Sequence, residues 1–93
     1  MKDSPNGTVR LDKFLQASRL VRRRTLANRL CDAGKITLNG LRAKPAANTT
    51  IGDLISVSLG TRRLVVRVRR LPEGRSSSEP PFDVIEDRRT AEV

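Results

Sequence analysis

The sequence predicts a small α+β domain: a two-helix hairpin packed on a short, mostly antiparallel β-sheet. Three observations predict it. Leu11, Phe14, Leu15 and Ser18, and then Leu26, Ala27, Leu30 and Cys31, repeat the i, i+3, i+4 spacing of one helical face. From Ile36 onward the period changes to alternation, with Asn39-Gly40 placed as a tight hairpin turn. Finally, a chain of 93 residues has room for one compact core built from few elements.

The elements follow in order. Residues 1–8 hold Ser, Pro, Asn and Gly without periodicity and read as a flexible leader, with Thr8 and Val9 leading into the first helix. Helix one is expected from about Leu11 to Ser18, with Asp12 in its first turn, where a carboxylate suits the positive end of the helix dipole. Leu20 and Val21 close the apolar seam within a short connection. Helix two is expected from Arg23 or Arg24 to Ala33, and Gly34 is placed to end it in the left-handed conformation.

Strand character then dominates. Ile36 to Leu38 pairs with Leu41 to Ala43 across the Asn-Gly turn, Lys44-Pro45 breaks the return strand, and Ala46 to Thr50 reads as a loop or an irregular extended piece. Ile51-Gly52-Asp53 turns into a strand over Leu54 to Leu59, and Gly60-Thr61 turns into another over Arg63 to Leu71. In that last strand Leu64, Val66 and Val68 share one face, and Arg63, Val65, Arg67 and Arg69 share the other. The domain is therefore expected over 9–71. Residues 72–93 are read as a Pro/Ser-rich linker and a short tail, whose Phe82, Val84 and Ile85 either dock on the domain or order on a partner.

Charge narrows the partner. The formal net charge is +9, and fifteen of the nineteen basic residues are Arg, the side chain suited to bidentate phosphate contacts. A G+C-rich genome accounts for the Arg/Lys ratio but not for where the charge lies. Residues 10–70 carry +12 and the two ends together −3, so the expected partner is a polyanion. With no His and one Cys, a His/Cys metal site, a His general base and an internal disulfide are excluded. No cofactor is expected. No apolar run approaches the ~18 residues of a membrane span, and MKDSPNG lacks a signal-peptide core. The expectation is a soluble cytoplasmic protein with no membrane contact.

The succession RLDKFL, an Arg-rich turn, AGKITLNG and IGDLISV resembles the RNA-binding domain named after small-subunit ribosomal protein four, the αL motif, over roughly Arg10 to Leu71. The stretch FLQASRLVRRRTLANRLCDAGKITLNGLRAKPA, with the tail around Phe82-Asp83-Val84-Ile85, is similar to the RqcP family of bacterial ribosome-associated quality-control factors. A fifteen-kilodalton heat-shock protein is a second relative, but its first helix is Trp-rich where this chain has Phe14-Leu15-Gln16-Ala17. The RqcP resemblance implies binding to stalled large ribosomal subunits that still carry peptidyl-tRNA, with contacts to large-subunit rRNA and to the tRNA. It also implies an RqcH-type protein partner and support of C-terminal alanine tailing, with no bond made or broken by the small protein itself. A monomer is expected.

By the same resemblance, Arg10 and Arg24 match RNA-contact positions of the family, with Lys13 following Arg10. Arg22, Arg23, Arg29, Lys35 and Lys44 lie on or near matching basic positions. The residues themselves point the same way for Arg10, Arg22, Arg23 and Arg24. Three arginines at a helix start oppose the dipole, and an external anion accounts for their concentration there. Lys13, Arg29 and Lys35 fit ordinary solvated helix positions equally well. The family often has a Ser cap where this chain has Arg23. Cys31 reads as a small buried hydrophobe. With Phe14 and Phe82 as the only aromatics, base stacking on single strands is disfavoured and structured RNA favoured. Three other classes compete: a heat-shock-like recycling or ribosome-assembly factor, a DNA-binding helix-turn-helix protein, and a module of an RNA-modifying enzyme. Helix two offers few base-reading side chains beyond Asn28 and Asp32, and the binding domain leaves no room for a catalytic constellation.

Overall fold

The computed structural model describes residues 7–71 and 80–89. Most of the expected leader and linker lie outside the described residues. The chain begins with a two-residue strand β1 (Val9–Arg10) and passes directly into α1 (Leu11–Ala17). A turn leads to α2 (Arg24–Asp32), followed by β2 (Ile36–Leu38), β3 (Leu41–Arg42), β4 (Asn48–Thr49), β5 (Leu54–Leu59), β6 (Arg62–Val68) and β7 (Phe82–Arg89). The main sheet is antiparallel throughout, in the order β3-β2-β5-β6-β7, and β1 pairs with β4 as a separate ribbon.

The helices exist because their apolar faces have a sheet to cover. Leu11, Phe14 and Leu15 of α1 and Ala27 and Cys31 of α2 are buried with Ile36, Ile55, Val57, Leu64, Val66 and Val68 of the sheet. Each fully buried side chain of the Leu, Ile or Phe kind contributes roughly 1.5–3 kcal/mol. The alternation anticipated for β6 is present: Leu64, Val66 and Val68 point into this core, while Arg63 and Arg67 are exposed. Leu26, assigned to the apolar face of helix two, is instead 40% exposed. It lies roughly 100° from Ala27 around the helix, and the seam is filled by Ala27, Leu30 and Cys31.

The two helices end with similar turns made from different residues. After α2, Gly34 sits at φ +77°, its N–H donates to Cys31 O (3.0 Å), and Lys35 N–H donates to Leu30 O (2.9 Å). This is the paired closure of a glycine-ended helix. After α1, Arg19 takes the left-handed position at φ +68°, donating to Gln16 O (3.1 Å) while Val21 N–H donates to Leu15 O (3.0 Å). An L-residue there costs roughly 1–2 kcal/mol that glycine does not.

One segment read as loop or irregular forms a strand, and the tail takes the docked alternative. Asn48–Thr49 pairs with Val9–Arg10 because the loop before it is tied to the start of α1: Leu11 N–H donates to Ala47 O (2.8 Å) and Asp12 N–H to Pro45 O (3.0 Å). The tail Phe82–Arg89 extends the sheet along β6, so the sheet does not stop at Leu71. Phe82 lies opposite Val68 and packs against the core, and Val84 lies opposite Val66. Charge completes the pairing, with Asp87 accepting from Arg62 Nε (3.0 Å) and Nη2 (2.8 Å). A register shift beside Val65 and Val66 leaves Ile85 without an opposite residue.

Candidate nucleic-acid interface

Asp12 organises the basic end of the hairpin. Its side chain is only 1% exposed, yet it is charged. Its carboxylate accepts from Arg10 Nε (3.2 Å) and Nη2 (3.1 Å) and from Asn28 Nδ2 (3.0 Å), and Arg24 Nε lies 3.3 Å from Oδ2. Burial alone would raise its pKa, but the hydrogen bonds from Arg10, Asn28 and Arg24 outweigh that effect and hold it below the ordinary 3.8. Asn28 also donates to Arg24 O (2.9 Å), locking the amide to its own helix. One buried acid thus ties together β1, α1 and α2.

The consequence for the two arginines is orientation without neutralisation. The side chains of Arg10 and Arg24 stay 52% and 48% exposed while gripping Asp12. A guanidinium has five N–H donors in a planar fork. Arg24 engages Asp12 through Nε, leaving both Nη groups directed elsewhere, and Arg10 leaves Nη1. The cluster therefore presents fixed donor edges to solvent, a geometry matched to phosphate oxygens.

The other candidate residues fall into three places. Arg22 and Arg23 are exposed in the approach to α2; Arg23 is its N-cap residue, in extended conformation and with no side-chain capping bond. Lys44 precedes Pro45, whose carbonyl receives the Asp12 N–H, so it stands at the same end of α1 as Arg10. Lys13 and Arg29 are exposed on the outward faces of their helices: Arg29 lies roughly 140° around α2 from Arg24. Lys35 follows the far end of α2, beyond roughly 12 Å of helix axis from Arg24, and its carbonyl accepts from Ser58 N–H. The structure brings Arg10 and Arg24 together on Asp12, places Arg22 and Arg23 just before Arg24 in the chain and Lys44 beside the start of α1, and separates Lys35 from them.

Sequence reasoning misses the roles of Asp12 and Asn28: it makes Asp12 a dipole partner and counts Asn28 only among the few polar side chains a base-reading helix would offer. The available signal was Asn28 four residues after Arg24, hence on the same side of the helix. Arg42, also basic and exposed, is committed elsewhere: its Nη2 donates to Asp32 O at the end of α2 and its guanidinium lies against Gly34. Cys31 is buried, and burial first, then the charges of Asp12 and Asp32, pushes its thiol up to about 11. It is a core residue whose burial disfavours the reactive thiolate at neutral pH. Among the described residues no group of three or more His, Cys, Asp or Glu is placed to hold a metal ion, and no helix is long and apolar enough to cross a membrane.

A helical hairpin on a mostly antiparallel sheet is the architecture of the S4 domain, and the S4 domain family model matches residues 9–55. Over 87 residues the chain is 36% identical to the RQC P-site tRNA stabilizing factor of Listeria monocytogenes, covering 91% of this chain and 95% of that protein. It is 41% identical over 71 residues to the factor of the same name from Bacillus subtilis, covering 76% and 83%. Escherichia coli heat shock protein 15 is 35% identical over 75 residues, covering 81% of this chain but 56% of that protein. A solved trimeric heat shock protein 15 from Vibrio cholerae superposes with a TM-score of 0.75 at 30% identity, covering 83% and 81%. The chain belongs to the S4 domain family and, within it, to the RqcP family of RQC P-site tRNA stabilizing factors.

Proposed function

We propose that this protein is a cytoplasmic, non-catalytic RNA-binding factor of ribosome-associated quality control, which binds stalled large ribosomal subunits and stabilises the peptidyl-tRNA left in them. Arg10 and Arg24 make the principal phosphate contacts, Arg22, Arg23 and Lys44 extend them, and Lys13, Arg29 and Lys35 contribute long-range attraction. The bound tRNA is then available to an RqcH-type partner that directs C-terminal alanine tailing. The observation that carries this reading is the Asp12 cluster, in which two half-exposed guanidiniums are held in fixed orientation by one buried carboxylate. Fixed donors on a small rigid module suit recognition of folded RNA by shape and phosphate position. The names of the Listeria and Bacillus relatives supply the ribosomal context.

A second reading, recycling of blocked large subunits in the manner of a heat-shock relative, draws on the Vibrio structure. Binding to purified large subunits with and without peptidyl-tRNA separates the two from assembly. The proposal expects retention that depends on the peptidyl-tRNA and on Arg24. Equal retention on empty subunits, or on small subunits, would overturn it.

A further inference from the structure

The C-terminal end of α1, where the chain turns toward α2, carries an arrangement that the Asp12 cluster does not use. At the end of α1, Gln16, Ala17, Arg19 and Arg22 line an open depression of about 530 Å³. Among the described residues no carboxylate lines it. The guanidiniums of Arg19 and Arg22 are exposed, and neither forms an ion pair or side-chain hydrogen bond among the described residues. Arg19 is also one of only two described non-glycine residues at positive φ, the other being Asn39 in the Asn-Gly turn. Asn tolerates that conformation through its short polar side chain, whereas Arg has no such compensation. The chain places glycine at the corresponding position after α2. Local folding therefore favours glycine at position 19, and strain of this kind clusters where a side chain serves binding.

We infer that Arg19 and Arg22, over a floor of Gln16 and Ala17, form a second phosphate-binding point for the RNA backbone, which nothing in the Asp12 cluster supplies. The inference rests on the RNA-binding part of the function proposed above. Arg22 is two residues from Arg24 and also lines the depression, so the two binding points are joined along the chain. Asp12 and Arg19 lie roughly 10 Å apart along α1, a separation that a single RNA strand crosses in a few nucleotides. The backbone at Arg19 sets the direction of the side chain: the left-handed residue turns the chain by way of the Val21–Leu15 bond and aims the position away from the apolar seam that Val21 enters. Gln16 adds an amide able to donate to a phosphate oxygen.

The test sets stability against binding. Arg19→Gly removes the side chain and relieves the left-handed conformation, so its melting temperature is expected at or above that of the parent. Its affinity for large subunits carrying peptidyl-tRNA is expected to fall about five- to tenfold, with the slope of log K against log salt shallower by about one phosphate contact. Arg22→Ala is expected to lose a similar amount without the gain in stability, and Arg19→Asn, which also tolerates the conformation, to bind like Arg19→Gly. An Arg19→Gly protein that is folded and binds with unchanged affinity and slope would overturn the inference while Arg24→Ala still weakened binding. Should Arg19→Gly fold poorly, the same comparison rests on Arg19→Asn and Arg22→Ala, and unchanged binding by both overturns it. A parent protein that does not bind such subunits at all would overturn this inference and the RNA-binding reading together.

Discussion

Replacing Asp12 with Asn keeps the shape of the side chain, removes its charge and turns one acceptor oxygen into an N–H donor. The native carboxylate takes two hydrogen bonds from Arg10 and one from Asn28, with Arg24 at ion-pair distance. Hydrogen bonds to a charged group contribute about 1.5–3 kcal/mol each, against about 0.5–1.5 for neutral ones. The guanidiniums are half in water, so only part of that difference is realised. A loss of about 2 kcal/mol is expected, or roughly 8–16 °C in melting temperature for a domain of this size. Binding should respond differently to different RNAs. Freeing two long side chains that must be re-ordered on the target costs about 0.5–1.5 kcal/mol each, so affinity for the large subunit should drop at least fivefold. Unstructured RNA, which needs only net charge, should bind as well as before or better, since one negative charge has gone. The assay is thermal unfolding beside sedimentation with large subunits and with a homopolymeric RNA. An unchanged melting temperature, or an equal change in affinity for both RNAs, would refute the role given to Asp12.

Other perturbations test separate parts of the account. Arg24→Ala is expected to weaken large-subunit binding about tenfold with the fold retained, as judged by circular dichroism; unchanged binding would remove Arg24 from the interface. Cys31→Ser places a hydroxyl in the apolar seam and is expected to cost about 1–3 kcal/mol of stability with rRNA affinity intact, so a well-folded variant that no longer binds would contradict the core assignment. The thiol of Cys31, with its pKa pushed up to about 11, is expected to resist alkylation at pH 7.5 until denaturant is added. The pH dependence of folding follows from Asp12, whose folded pKa is lowered. Its stabilising contribution is fully present above the unfolded value near 3.8 and is lost as pH falls through the lower folded value. Urea unfolding midpoints should therefore be level in this term from pH 5 to 8 and drop below about pH 4, and the drop should shrink in Asp12→Asn.

The legible parts of the fold are those where local pattern and tertiary packing agree. The change from helical spacing to alternation at Ile36, the Asn39-Gly40 turn and the Leu54–Leu59 strand needed no context beyond their own residues. The tail strand was harder to read because its partner is supplied from a distance. FDVIEDRR is acidic and only weakly alternating, and it becomes a strand where β6 offers both an open edge and basic partners such as Arg62. Leu26 shows the opposite limit: spacing nominated it for the core, but a nine-residue helix with a narrow seam left it outside. At the interface, the concentration of arginines was plain in the sequence, whereas the carboxylate that organises them was not. Whether an Asp near a helix start faces solvent or is enclosed by a second helix depends on how that helix docks, and here α2 docks so that Arg24 and Asn28 reach the Asp12 carboxylate.

The central claim is that this domain acts on RNA within stalled large subunits. A pull-down of the tagged protein from its own cells, with RNA and protein identified together, tests it most directly. The account predicts large-subunit rRNA, peptidyl-tRNA and an RqcH-type protein in the recovered material, all reduced together by Arg24→Ala. Recovery of precursor rRNA or small subunits without peptidyl-tRNA would contradict it.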